Sequence, residues 1–273
     1  MSTVRPAAVA GMFYPGSSAT LRQSVRDLLD SATGGPVSRG SWPKALIVPH
    51  AGYIYSGPVA ARAYARLSPG RNTIRRVVLL GPVHRVPVRG LALPGAGAFV
   101  TPLGSIQVDL EAVASIRHMP QVCESAAAHA LEHSLEVQLP FLQSVLDDFA
   151  IVPLAVGDAS AEEVAEVIER LWGGSETLIV VSSDLSHYHE YGAAGRIDLD
   201  TTAQIAALSH TLDHEQACGA TPINGFSLCA QRRGLTPDLI ALCNSGDTAG
   251  DKSRVVGYAS FAFDESRPEH SDA

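Results

Sequence analysis

Three short, very apolar runs each end in a polar cluster containing histidine: Ala45-Leu-Ile-Val-Pro-His50, Val77-Val-Leu-Leu-Gly-Pro-Val-His84 and Leu178-Ile-Val-Val-Ser-Ser-Asp184-Leu-Ser-His187. A neutral imidazole binds transition metals through one ring nitrogen, and it moves protons near neutral pH. His50 and His84 each sit among Pro and Gly residues that fix the backbone and crowd nothing. Two imidazoles held on separate rigid strands are the start of a non-haem iron, copper or zinc site. Such a pair needs an anionic or soft partner. Asn244-Ser-Gly-Asp247-Thr-Ala-Gly-Asp251 follows a further predicted strand, so Asp247 or Asp251 completes a two-histidine-one-carboxylate set with open positions. Ser-Gly-Asp is also ordinary turn chemistry, and Cys243 is a softer alternative whose place at the end of an apolar run suits burial.

Ser182-Ser-Asp184-Leu-Ser-His187-Tyr-His189 is dense in proton-handling groups. Here Asp184 is placed to orient His187 as a general acid/base. A Ser–His–Asp hydrolase competes with that reading, but no Gly-x-Ser-x-Gly elbow supplies the nucleophile. His129-Ala-Leu-Glu132-His133-Ser-Leu-Glu136 places two histidines four apart, as on one helical face, yet its glutamates are misplaced for the His-Glu-x-x-His zinc helix. Glu132 or Glu136 then lines the site or braces a ligand, or Ser134 simply caps a helix with Glu136 in its first turn. Tyr53, Tyr55 and Tyr188 lie beside the same segments and either meet an aromatic substrate or pack with their hydroxyls satisfied. The absence of a Gly-x-Gly-x-x-Gly or Walker loop argues against a nucleotide cofactor.

These clusters need a frame. Continuous Val- and Ile-rich runs predict strands buried on both faces of a sheet, and ligands gather beyond the carboxyl ends of such strands. Helical spacing predicts helices over residues 18–33, from Pro58 to about Leu67, from an Asp109 cap through Arg117, and from a Ser160 cap to Trp172. A helix led by residues 133–140 is expected to kink at Pro140, with later helices near 198–210 and 222–233. Residues 34–43 predict a loop and 90–106 hairpin or loop material. Further strands are expected at 150–156, with Pro153 marking a bulge or edge, near 237–242 and at 255–263.

With 273 residues and no Pro/Gly/Ser linker dividing the strands, a single α/β domain over residues 1–263 is expected, followed by a polar, disordered tail over 264–273. A formal charge of −8 with only two lysines offers no basic footprint for nucleic acid. No apolar run is long enough to span a bilayer, and the first residues lack a signal-peptide pattern, so a cytoplasmic protein is expected. The four cysteines show no CxxC pairing, which fits reduced thiols.

Taken together, Ala10-Gly-Met-Phe-Tyr-Pro15, Pro49-His-Ala-Gly-Tyr-Ile-Tyr-Ser-Gly57, Gly81-Pro-Val-His84, Thr101-Pro-Leu-Gly104, Glu132-His-Ser-Leu-Glu-Val-Gln-Leu-Pro-Phe-Leu142, Ser182-Ser-Asp-Leu-Ser-His-Tyr188, Asn244-Ser-Gly-Asp247 and Val255-Val-Gly-Tyr-Ala259 resemble the Memo family. Its bacterial and archaeal members are called AmmeMemoRadiSam system protein B. The resemblance implies an αβα sandwich with a central mixed sheet, similar to class III non-haem iron extradiol dioxygenases. It further implies a metal held by His50 and His84, with Fe(II) the first expectation and copper or zinc the alternatives. Animal relatives place a cysteine ligand in a Ser-Gln-Cys context where this chain has Ser245-Gly-Asp247, which moves the expected third ligand to Asp247. His187 matches the acid/base histidine of the dioxygenases. Tyr53, Tyr55, His133, Glu136 and Tyr188 are expected around the metal, as substrate or supporting contacts. The bacterial name implies association with a radical-SAM system. Three functions follow: a metal-dependent oxidoreductase of unknown substrate, an adaptor that binds a peptide or anion in the same cleft without turnover, or a metal-assisted hydrolase.

Overall fold

The computed structural model describes residues 3–32 and 41–265. The apolar runs become strands: β1 (Val4–Arg5), β2 (Ala45–Val48), β3 (Arg76–Pro82), β4 (Leu91–Leu93), β5 (Ala98–Thr101), β6 (Gly104–Val108), β7 (Val122–Glu124), β8 (Ala150–Val156), β9 (Thr177–Ser182), β10 (His187–His189), β11 (Thr236–Asn244) and β12 (Val255–Asp264). The centre of the sheet is the parallel set β8, β3, β9, β2, whose side chains are buried almost throughout. Strand β12 adds antiparallel to β2 and carries β11 and β10 antiparallel to itself. At the other side β6 joins β8 in parallel, and a tight hairpin with Thr101 opposite Gly104 returns it to β5.

Helices α1 (Ser18–Ser31), α2 (Tyr53–Ala65) and α5 (Leu139–Val145) pack together as one layer. Helices α3 (Leu110–Ile116), α6 (Ala161–Arg170) and α8 (Ala220–Arg233) form another, α4 (Ala126–Ala130) lies against β4, and α7 (Tyr191–Ala206) covers β10 to β12. The result is a single mixed α/β domain with a largely buried central sheet between helices. Local signals set several ends. Ser17 caps α1, Asp109 caps α3, and Ser160 with Glu163 forms a reciprocal capping box on α6.

Three prolines behave differently from expectation. Pro153 sits in a central strand in unbroken register with Leu79. On its other flank β8 pairs with β6 only at residues 150–151 and with β4 only at 155–156. The ring therefore falls where no ladder needs its missing N–H. Pro140 does not kink a helix: a 3₁₀ turn over Glu136–Gln138 precedes it, and it occupies the first turn of α5. Pro58 lies inside α2, which begins five residues earlier at Tyr53. Helix α7 likewise begins at Tyr191, before the expected start. Asp264 ends β12 instead of opening a tail, while residues 266–273 and most of the 34–43 loop lie outside the described residues.

Candidate metal centre

Strands β2 and β3 both pair with β9 in parallel, one on each side, so their carboxyl ends lie together with that of β9. His50 leaves the end of β2, His84 the end of β3, and Ser182 closes β9 with Asp184 two residues on. His133 comes from the segment before α5. The donor atoms of His50, His84 and His133 all lie within 4.8 Å of one another. Ring centroids are 5.2 Å apart for His50–His84, 5.3 Å for His50–His133 and 4.5 Å for His84–His133. The site grades from core to mouth: His50 is 1% exposed, whereas the His84 side chain is 29% exposed.

Each ring is held through its Nδ1 side. His50 Nδ1 lies 2.9 Å from Ser182 Oγ, whose own proton goes to the Ser134 carbonyl at 2.7 Å. Gln138 Nε2 donates to Ser182 Oγ as well, at 2.8 Å. With its proton committed, Ser182 Oγ accepts from His50 Nδ1–H, which leaves the Nε2 lone pair of His50 for an ion. His84 Nδ1 lies 2.9 Å from Glu132 Oε1, and His133 Nδ1 stands 3.4 Å from the same oxygen. Glu132 also accepts the backbone N–H groups of His84 at 2.6 Å and Ser134 at 2.9 Å. Burial alone would raise its carboxyl, but the His84 ring and these backbone donors outweigh it and hold the group at about 2. A carboxylate behind metal-facing histidines fixes tautomer and ring plane and raises basicity.

Burial, reinforced by the neighbouring rings, pushes His50 well below the ordinary histidine range and His133 down to about 4. Both are neutral at physiological pH, the form that binds a metal. Phe13 packs its ring 4.7 Å from that of His133. Three imidazole donors suit a first-row transition ion better than magnesium or calcium.

Several expected site residues have other roles. Asp247, exposed in the 3₁₀ turn Ser245–Asp247, accepts from Tyr191 Oη at 2.6 Å and from the Asn244 N–H at 3.0 Å. It is not in the group of three histidines whose donors could together hold an ion. The Asx geometry of Asn244-Ser-Gly-Asp closes the turn on itself and keeps the carboxylate there. Asp184 does not orient His187. Its Oδ1 accepts the backbone N–H of His50 at 2.7 Å and of Ala51 at 3.3 Å, and burial raises its carboxyl to about 7 against those two bonds. His187 points Nδ1 at the Leu185 carbonyl, 2.8 Å away, and burial lowers its pKa. Glu136 is fully buried and receives Arg5, the N–H groups of Ala8 and Val9, and Tyr14 Oη, which ties down the N-terminal segment. Tyr53 is buried with its hydroxyl on the Val137 carbonyl at 2.8 Å, Tyr55 is exposed, and exposed Tyr188 stacks under Arg254. His129 turns away and meets the Ala92 carbonyl at 2.7 Å, which ends the notion of a shared helical face with His133.

Sequence reasoning placed His133 among the supporting contacts and, having weighed Glu132 beside Glu136, carried only Glu136 to the site. The adjacent pair Glu132-His133 was the available signal. Cys218 was not singled out at all: its Sγ lies 3.3 Å from His50 Nε2, and with His84 it lines a cavity of about 310 Å³.

A mixed α/β sandwich with an imidazole cluster beyond adjacent parallel strands defines a candidate metal-site protein. The chain matches the model of the Memo-like protein family over residues 5–262. It is 37% identical over 279 residues to a MEMO1 family protein of Aeropyrum pernix, covering 93% of this chain and 98% of that one. A MEMO1 family protein of Aquifex aeolicus is 35% identical over 276 residues, with 95% and 99% covered. One from Methanobrevibacter smithii is 33% identical over 282 residues, again with 95% and 99% covered. The chain belongs to the Memo family.

Proposed function

We propose that this protein is a metal-dependent oxidoreductase that holds iron(II) with His50, His84 and His133. The observation that supports it is the convergence of three imidazoles, with Nδ1 of His50 on Ser182 Oγ, Nδ1 of His84 on Glu132 and Nδ1 of His133 facing that same carboxylate. Three protein donors leave positions open for substrate and O₂, and a bound ion supplies Lewis-acid and redox chemistry there. His187 is the proton-handling group. Its Nδ1–H is committed to Leu185, so Nε2 is free to take a proton from a substrate hydroxyl and return it. The cavity beside His84 has an apolar wall of Val83, Pro87 and Val88 and polar groups from Asp158, His214 and Thr221, which fits a small organic substrate.

A second reading has its own support. Three histidines without a carboxylate are also the donor set of a catalytic zinc site, which would make the protein a zinc-dependent hydrolase. Metal content by ICP-MS on anaerobically purified protein, with His50→Ala, His84→Ala and His133→Ala alongside, tests both. Near one iron per chain, lost in each variant, with O₂ uptake in a substrate screen, is the expected result. Zinc in its place and O₂-independent turnover favour the hydrolase. No stoichiometric metal after reconstitution overturns both readings.

A further inference from the structure

We infer that the cleft between α1 and β6 is a binding site separate from the histidines, and that it takes a phosphate monoester whose body carries hydroxyl groups. The cavity measures about 550 Å³ and is closed on its third side by the segment that links α5 to β8. Arg71 on its wall shortly precedes β3, Asp148 and Phe149 lead into β8, and Gln107 pairs with Ala150, the first residue of β8. The cleft therefore lies off the amino ends of the central strands, whereas His50 and His84 stand beyond the carboxyl ends.

Two rows of polar side chains face into it. Helix α1 buries Leu21 and Val25, which turns their neighbours Arg22 and Arg26 outward on consecutive turns. Among the described residues their guanidinium groups make no hydrogen bond or ion pair. Like charges four apart on a helix repel, so an anion between the two guanidiniums stabilises α1. On β6, Ile106 and Val108 are buried, and the alternation of a strand turns exposed Ser105 and Gln107 the other way. Both line the cleft with side chains unpaired among the described residues.

The carboxylates on the walls decide which ligand fits. Asp147 is taken by Arg71, whose Nε reaches its Oδ1 at 2.6 Å while Nη1 donates to the Ser144 carbonyl at 3.2 Å. That wall is close to neutral. Asp30 and Asp148 also line the cleft and repel a second anionic group, so the ligand has one anionic end. Two planar guanidinium forks on one flank match the oxygens of a phosphate. Asp148 accepts hydroxyl hydrogens, and Ser105 and Gln107 both donate and accept, which suits a polyol body. Half-buried Leu29, Leu103 and Phe149 give its carbon skeleton an apolar floor, and the volume is that of a small-molecule site.

Isothermal titration calorimetry on the metal-free full-length protein, at two temperatures so that a vanishing enthalpy hides nothing, compares D-ribose 5-phosphate, inorganic phosphate and ribose. The expected result is a one-to-one complex with the ester, about 10-fold or more tighter than with inorganic phosphate, and none with ribose. Arg22→Ala and Arg26→Ala, each with a native circular dichroism spectrum, should weaken it about 10-fold or more. Arg117→Ala, which removes the same charge at an exposed position outside the cleft, should bind as wild type does. No complex at millimolar ester, or one that survives both cleft variants, overturns the site. An equal loss in Arg117→Ala reduces the effect to net charge and overturns it too. Inorganic phosphate bound as tightly as the ester overturns the hydroxyl-bearing body, a comparison that needs no variant to fold.

Discussion

One oxygen of Glu132 stands 2.9 Å from Nδ1 of His84 and 3.4 Å from Nδ1 of His133, so a single buried carboxylate sets the direction of two of the three candidate ligands. Its other oxygen holds the His84 backbone at 2.6 Å, which couples the ring to its own main chain. Glu132→Gln keeps the shape but loses the charge, and it turns an N–H group toward donors that need an acceptor. Metal affinity, read by competition with a chromophoric chelator, is expected to fall about 10- to 100-fold. An unchanged affinity would mean that the rings are oriented by packing alone.

Asp184 gives the metal-free protein a specific pH dependence. An aspartate carboxyl ordinarily titrates near 3.8, and burial raises this one to about 7 in the fold. Because the folded state binds this proton more tightly than the unfolded state, the contribution to stability is fullest below about 3.8. It declines as pH rises toward 7 and is flat above. Asp184→Asn cannot titrate there and still offers an oxygen to the His50 and Ala51 N–H groups. The Tm of wild type minus that of Asp184→Asn should therefore fall between pH 4 and pH 7 and then level off. A difference that stays constant across thermal melts over this range would place the titration elsewhere.

The pair Arg5–Glu136 belongs to the fold and not to the metal. Both side chains are buried, and Glu136 also receives two backbone N–H groups and a tyrosine hydroxyl from the first fourteen residues. Glu136→Gln strands the Arg5 guanidinium without a counter-charge. Chemical denaturation should show a loss of about 3–5 kcal/mol. Metal stoichiometry in the folded fraction should match wild type, and a metal-free but fully stable variant would contradict this assignment.

How much of this was legible follows from the kind of signal each residue carries. The buried runs before His50, His84 and Asp184 predicted parallel strands with their ends together, because uninterrupted Val and Ile fit only a sheet covered on both faces. His50 and His84 were found for that reason. His133 was harder, since the segment before Pro140 carries helical spacing but spends its first residues in irregular chain and a 3₁₀ turn. Ring direction there is set by Glu132 and Phe13, which are tertiary contacts. Asp247 was a candidate because a carboxylate after a strand invites ligation. The Asn244 N–H of its own turn satisfies one of its oxygens and Tyr191 Oη, from the start of α7, the other. Cys218 precedes a helix on no recognisable motif, so nothing in its own segment announces that the fold sets it against a histidine 168 positions earlier.

Asp247 and His133 therefore separate the expectation drawn from sequence from the geometry of the fold. Asp247→Ala removes an acceptor from Tyr191 Oη and from the Asn244 N–H, each worth about 1 kcal/mol at most in so exposed a turn. It touches none of the clustered rings, so the variant should bind as much metal as wild type with similar affinity. His133→Ala deletes one of three donors and leaves Glu132 with His84 alone, so it should lose stoichiometric metal after dialysis. Side-by-side ICP-MS of the two variants, each checked for a native circular dichroism spectrum, gives the answer directly. Metal retained by His133→Ala and lost by Asp247→Ala would restore the two-histidine-one-carboxylate site. It would also require the Ser245–Asp247 turn to reorganise when the ion binds.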